Sequence, residues 1–284
     1  MEKIDILSLS PETLGQYLAE MGEPKFRAKQ LFSWLHQKQV TDFAQMTTLS
    51  LQLRQKLNEK FCINRLNIAR KLASSADDTV KYLYELPDGN FVETVLMDYH
   101  HGKSLCISTQ VGCRMGCQFC ASTIAGYVRD LQPSELLLQI YETQRDAGCR
   151  IDSIVLMGIG EPLDNFDNVV QFFRLLSHPD GMNMSLRHAA LSTCGLVPQI
   201  RQLADLRLGV TLSVSLHSPE NQRRSEIMPV NRRYPVEELL DACRYYFDTT
   251  GRRVTIEYAV INGVNNTRQM PASWRNGCTE CSAM

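Results

Sequence analysis

From residue 153 onward the chain alternates between short apolar runs rich in Val, Ile and Leu and longer amphipathic segments. "SIVLMG" gives way to "DNFDNVVQFFRLLSH", "RHAALSTC" to "LVPQIRQLADLR" and "VTLSVSLH" to "PVEELLDACRYYFDTTG", and "RVTIEYAVI" closes the series. The short runs have the length and branching of strands buried on both faces, and the long ones carry helical spacing. Strands separated by helices lie parallel, each helix crossing over the sheet. The expected class is therefore α/β, as a barrel or a doubly wound sheet. Either form gathers its ligands at the carboxyl ends of the strands. Gly160, Glu161, Ser192, Ser215 and His217 all stand at such ends.

The first 75 or so residues have a different texture. "SPETLGQYLAEMG" offers Ser10 as a cap, Pro11 at the first helical position and Leu14, Tyr17, Leu18 and Met21 at helical spacing. "PKFRAKQLFSWLHQKQV", opened by Pro24, and "SLQLRQKLNEKF" read as two more helices. "TVKYLYELPDGNFVETVLM" then alternates as a hairpin around Pro87-Asp88-Gly89-Asn90, and "KSLCIST" is another short strand. "PSELLLQIYETQRDAG" is a helix from Pro133 to a stop at Gly148.

The net charge of −1 advertises no global affinity for nucleic acid. Residues 1–71, however, carry eleven Lys or Arg against seven Asp or Glu. Lys25, Arg27 and Lys29 crowd a helix start, where free N–H groups also meet phosphate. A solvated helix surface explains the same charges. No apolar run approaches the twenty or so residues needed to span a bilayer, and "MEKIDILSLSPETLG" lacks a signal peptide's basic region and apolar core. These features lead us to expect a cytoplasmic protein whose ten cysteines are reduced thiols.

Three of those thiols, Cys113, Cys117 and Cys120, fall within eight residues of "VGCRMGCQFCAS". Zinc would want a fourth ligand, and the other C-x-x-C pair, Cys278 and Cys281, stands far off in a tail without periodicity. Buried unreactive thiols are a second reading, better suited to Cys62, Cys149 and Cys243. A four-iron cluster takes one thiolate per iron, so three leave one iron open to a small molecule. Gly112 and Gly116 let such a loop wrap closely.

The spacing C-x-x-x-C-x-x-C, with Phe119 before the last Cys, resembles the radical S-adenosylmethionine (SAM) superfamily. That resemblance implies a [4Fe–4S] cluster on Cys113, Cys117 and Cys120. It also implies SAM held by Gly160 and Glu161 of "MGIGEP", Ser192 of "LSTCG" and Ser215, Leu216 and His217 of "SVSLHS". The wider run of "FVETVLM", "SLCISTQVGCRMGCQFCAST" and "VLMGIGEPLDNFDNV" is similar to the bacterial RNA adenine-C2 methyltransferases, the RlmN family. It implies a partial (β/α)6 barrel over 77–267, a helical RNA-binding domain over 1–76 and an atypical tail over 268–284.

By the same resemblance the substrates are 23S rRNA and tRNA, and a donor such as flavodoxin or ferredoxin serves a monomeric enzyme. One SAM methylates a cysteine near the C-terminus, and a second SAM is cleaved reductively to activate that methyl. Cys106 matches the family's resolving cysteine, and Glu93 its proton acceptor. Taken alone, Cys106 reads as a buried strand residue and Glu93 as a hairpin surface position.

The family's methyl-carrying cysteine, a later strand and an Asn for SAM belong beyond "VTIEYAVINGVNN". The tail "TRQMPASWRNGCTECSAM" does not match that segment, and the role is not carried to Cys278 or Cys281. The expectation is an exposed sheet edge there. Two alternatives stay open: methylation at C8 of adenosine, and an RNA-binding protein that keeps the cluster without transferring methyl.

Overall fold

The computed structural model describes residues 3–266. In chain order the strands are β1 (Ile4–Asp5), β2 (Phe61–Cys62), β3 (Asn67–Ala73), β4 (Val80–Glu85), β5 (Phe91–Tyr99), β6 (Gly102–Cys106), β7 (Gln110–Gly112), β8 (Tyr127–Asp130), β9 (Ser153–Leu156), β10 (Ala189–Thr193), β11 (Thr211–Ser215) and β12 (Val254–Glu257). The helices are α1 (Pro11–Glu20), α2 (Arg27–His36), α3 (Leu51–Lys60), α4 (Pro133–Ala147), α5 (Phe166–Ser177), α6 (Val197–Asp205), α7 (Asn221–Ile227) and α8 (Val236–Thr250).

One unit runs up to Lys103 and includes Leu131–Asp152 and Asp167–Ser185. Ser10 and Ser50 cap α1 and α3, each hydroxyl accepting the N–H three residues on at 3.2 Å. Leu14 and Leu18, Leu31, Phe32 and Leu35, and Leu53 and Leu57 form the buried faces of the three helices. Each such side chain contributes about 1.5–3 kcal/mol. The hairpin forms as read, with β4 and β5 antiparallel. Tyr82 and Tyr84 are buried, with their hydroxyls 2.8 Å from Asp146 and Thr143 of α4.

Two readings are corrected in this unit. Residues 67–73 are a strand paired with β4, not part of a helical run. Every residue of β3 is exposed, so neither alternation nor helical spacing marked it. Phe26 lies outside α2 and is 61% exposed, with Arg27 over its ring at 5.1 Å.

His36 ends α2 in the core, its Nδ1 2.9 Å from the Tyr141 hydroxyl. Burial, aided by the charge of His178, drops its pKa from 6.5 to about 3. Between those values the unfolded chain binds the extra proton, so stability falls as pH drops through the window, by up to about 1.4 kcal/mol per unit. Melting curves from pH 6.5 down to 5 are expected to show this loss, and His36→Gln to flatten it. An unchanged slope in the variant would refute the assignment.

The second unit comprises Ser104–Asp130, Ser153–Phe166 and the described residues from Leu186 on. Five of its strands lie parallel in the order β6-β9-β10-β11-β12, and β7 and β8 form a separate antiparallel pair. Leu105, Ile154, Leu156, Leu191, Leu212 and Val214 are buried along them, as near-continuous apolar runs require. The α/β class is therefore observed, with five parallel strands among the described residues of this unit. The tail over 268–284, with Cys278 and Cys281, lies outside those residues. α7 was not read from sequence. Cys243 is fully buried as expected, whereas Cys62 and Cys149 are only half-buried. No helix among the described residues is long and apolar enough to cross a membrane.

Candidate active site

The carboxyl ends of β9, β10, β11 and β12 open on a cavity of about 210 Å3 within the second unit. Cys113, Cys117, Cys120, Gly160, Glu161, Ser192, Ser215 and His217 all line it. Eight of the residues singled out from sequence, drawn from four separate stretches, thus meet in one place.

The cysteine loop is set between β7 and β8, an antiparallel pair in register at Gln110–Asp130 and Gly112–Tyr127. Gly112 has φ +73°, and a Cβ there would stand 1.7 Å from the Gly126 carbonyl, so no other residue lets these strands close. Arg114 braces the loop from outside, its Nε 2.7 Å from Asp164 and its guanidinium 3.9 Å from the Tyr127 ring.

Cys113 and Cys117 are buried and Cys120 is half-buried. Burial raises the Cys113 thiol, and burial followed by the neighbouring thiols Cys120 and Cys113 pushes Cys117 to about 12. Three thiolates here need a compensating cation. Among the described residues no three His, Cys, Asp or Glu side chains converge on one metal ion. Three thiols lining one cavity offer one sulfur to each of three irons, and this donor set fits the expected cluster.

Glu161 is the buried acid of the site. Its Oε1 accepts the Leu163 N–H at 3.0 Å and its Oε2 the Cys194 N–H at 2.8 Å. The Gln110 side chain orients this segment, its Oε1 accepting the Glu161 N–H at 2.8 Å. Burial raises the Glu161 pKa despite these bonds, so the carboxylate favours a cationic partner. Gly160, at φ +110°, makes the close approach possible, because a Cβ would lie 2.7 Å from Gln110 N and 2.8 Å from Thr109 Oγ1. Gly160→Ala is expected to cost about 3 kcal/mol or more in denaturant melts. A variant as stable as the parent would show that the cradle yields.

The strand register decides the other wall. Ser192 pairs with Ser213, and Ser215 with Glu257. The Ser192 and Ser215 hydroxyls both donate to Glu257 Oε2, at 3.3 and 3.5 Å. Glu257 was missed from sequence, although the last residue of a parallel strand was its signal.

His217 has φ +55° and packs edge-on to Phe119 at 4.8 Å. Its Nδ1 accepts the Ala259 N–H at 3.0 Å, and burial, then Arg224, lowers its pKa. The neutral ring therefore carries its proton on Nε2, leaving that atom to donate. Leu216 does not line the cavity. Its side chain is buried, and its N–H donates to the Glu257 carbonyl at 3.1 Å.

Cys106, at the end of β6, pairs with Val155 and is also absent from the lining. Its thiol is half-buried and raised by burial, with the Met157 N–H opposing that rise. Glu93 belongs to the first unit, on β5, with Lys81 Nζ 2.7 Å from its carboxylate.

Comparison with known proteins matches residues 4–63 to a model of the ribosomal RNA large subunit methyltransferase N-terminal domain. Residues 107–269 match the radical SAM superfamily. The chain is 52% identical over 266 residues to a probable dual-specificity RNA methyltransferase RlmN of Lachnoclostridium phytofermentans, covering 94% of this chain and 75% of that protein. The same-named protein of Alkaliphilus oremlandii is also 52% identical over 266 residues, covering 94% and 77%. A crystal structure of a radical SAM methyltransferase from Sphaerobacter thermophilus superposes with a TM-score of 0.91 at 38% identity, covering 97% of this chain and 82% of that one.

Proposed function

The chain belongs to the RlmN family of radical SAM RNA methyltransferases, and on that premise we propose that it methylates C2 of an adenosine in 23S rRNA and in tRNA. The observation that carries the reading is the convergence of three thiols, a buried carboxylate and a neutral imidazole on one cavity.

Cys113, Cys117 and Cys120 would each hold one iron of a [4Fe–4S] cluster, leaving the fourth to SAM. When bound, the cluster supplies the electron for reductive cleavage of SAM, chemistry no side chain can perform. The residues around it bind and orient. Glu161 takes the ammonium of SAM, an anion already desolvated and pointed by two N–H groups. His217 offers Nε2–H to the SAM carboxylate. Glu257, holding both serine hydroxyls, offers its carboxylate to the ribose diol.

Cys106 is assigned the resolving thiol. Because burial raises its pKa, its attack needs a partner to remove the proton. Glu93 is assigned a proton acceptor by its motif. C2 lies inside a duplex, so the target base must be single-stranded or flipped out. Lys25, Arg27 and exposed Phe26 at the start of α2 suit a single-stranded RNA contact. A cytoplasmic setting and an electron donor of the flavodoxin or ferredoxin class complete the proposal.

Anaerobic reconstitution with iron and sulfide, followed by incubation with SAM, reductant and a 23S rRNA fragment, tests it. Mass spectrometry is expected to find 2-methyladenosine. 8-Methyladenosine, or unmodified RNA, would overturn the assignment.

A further inference from the structure

Arg224, in the middle of α7, is fully buried. Its guanidinium donates to the main-chain carbonyls of Cys194 (2.6 Å), Ser215 (3.0 Å) and Leu216 (3.1 Å), and to Asn231 Oδ1 (3.0 Å). None of these acceptors is a carboxylate. A buried cation among neutral dipoles carries a desolvation cost that carbonyls offset only in part. Burial lowers its pKa to about 10, which still leaves it protonated at neutral pH. A charge kept under those conditions points to something anionic beside it.

The surroundings identify that neighbour. The carbonyl of Ile227, the last residue of α7, accepts the Gln118 N–H of the cysteine loop at 2.9 Å. Ile227 and Met228 pack in one buried cluster with Cys117 and Cys194. Cys194 is held at both main-chain groups: its N–H donates to Glu161 and its carbonyl accepts from Arg224. The remaining two carbonyls are at Ser215 and Leu216, which lead directly into His217. Gly195, at φ +108°, lets this turn pack against α8, since a Cβ there would stand 2.9 Å from Leu239 Cδ1.

We propose that Arg224 is a positioning residue that locks the ends of β10 and β11 into the SAM-binding shape and sets a permanent positive charge against the thiolate-held cluster. The proposal rests on the radical SAM reading of the cavity. Reduction by one electron from an external donor makes the site more negative, and a nearby fixed cation favours that state. Removing the charge makes reduction harder, and removing the clamp weakens SAM.

The test uses anaerobically reconstituted protein, comparing wild type with Arg224→Met, Arg224→Lys and Asn231→Asp. Two quantities are read: the cluster midpoint potential, by a spin-resonance-monitored dithionite titration, and the SAM dissociation constant. Arg224→Met is expected to lower the reduction equilibrium about tenfold, which is about 59 mV for one electron, and to weaken SAM about tenfold. Asn231→Asp keeps an oxygen for Arg224 but cancels its charge, so it should shift the potential the same way while retaining most SAM affinity. Arg224→Lys should hold the potential and lose SAM affinity.

Cluster-loaded Arg224→Met with wild-type potential and affinity would overturn the proposal. Should that variant fail to fold, an unmoved potential in Asn231→Asp together with full SAM affinity in Arg224→Lys would overturn it equally. A wild-type protein that takes up no iron would remove the cofactor reading itself, and this proposal with it.

Discussion

Cys117→Ala abolishes iron loading: after anaerobic reconstitution the variant is colourless, holds less than about a tenth of the wild-type iron and does not cleave SAM. With one of three thiolates gone, the cluster would have to take a solvent ligand at a position that is 8% exposed. The cost of the buried site also matters. In the absence of metal, burial and the two other thiols hold Cys117 in its neutral form, near pKa 12. Metal binding must reverse that, so the loop is stable as a ligand set only with all its metal bonds made.

Cys194 is the thiol that could complicate the result. It lines the same cavity and packs beside Cys117. Cys194→Ala alone should retain iron, because its thiol lies outside the loop that wraps the cluster. The double variant settles any exchange of ligands. Iron kept in Cys117→Ala but lost in Cys117→Ala/Cys194→Ala would give Cys194 the third position, and iron kept in both would end the cluster assignment. Cys243→Ala, on the buried face of α8 and outside the cavity lining, should load iron fully and differ from wild type only in stability.

Glu161→Gln weakens SAM by about a hundredfold, roughly the 2–3 kcal/mol of a charge-assisted bond lost in a buried site, while iron loading is retained. The carboxylate has two oxygens for two main-chain donors, Leu163 N–H and Cys194 N–H. Glutamine has only one oxygen, so its NH2 must face one of those donors and the charge that meets the ammonium is gone. The SAM-free protein loses less. Burial already disfavours the Glu161 carboxylate, so neutralising it relieves part of what the mismatched amide costs. The checking measurement is the rise in melting temperature on adding SAM, which reports binding to the native state. It should nearly vanish in the variant, and a rise equal to that of wild type would sink the role of Glu161. Acid should act in the same direction as the substitution, because protonation of Glu161 removes the anion SAM needs.

Much of this site could be read before any coordinates. The cysteine spacing and the strand-end Gly160, Glu161, Ser192, Ser215 and His217 are local signals. Each is written within a few residues, and the parallel βα order brings strand ends together whatever the details. The residues that escaped notice have little local signature, a strand-end position being all that marked Glu257. Glu257 is one glutamate among thirty-one Asp and Glu until the register places it opposite Ser215. Cys194 reads as an ordinary strand-end thiol until Glu161 takes its N–H. Arg224 sits in "NQRRSEI", a segment polar enough to pass for a surface turn, yet it is fully buried. Strand β3 escaped for the opposite reason, since all seven of its residues are exposed and only pairing with β4 makes it a strand.

The division follows from the range of the forces involved. Periodicity, caps and turns act over a few residues, so the sequence alone determined the alternation of β9–β12 with α5, α6 and α8, the parallel sense of those strands and the loop able to carry a cluster. The partners of a buried group depend on which strand lies beside which and in what register. Only the tertiary structure decided that Ser192 and Ser215 share one carboxylate, that Cys106 and Leu216 stand outside the cavity lining, and that the Arg224 guanidinium lies buried against the Cys194 carbonyl.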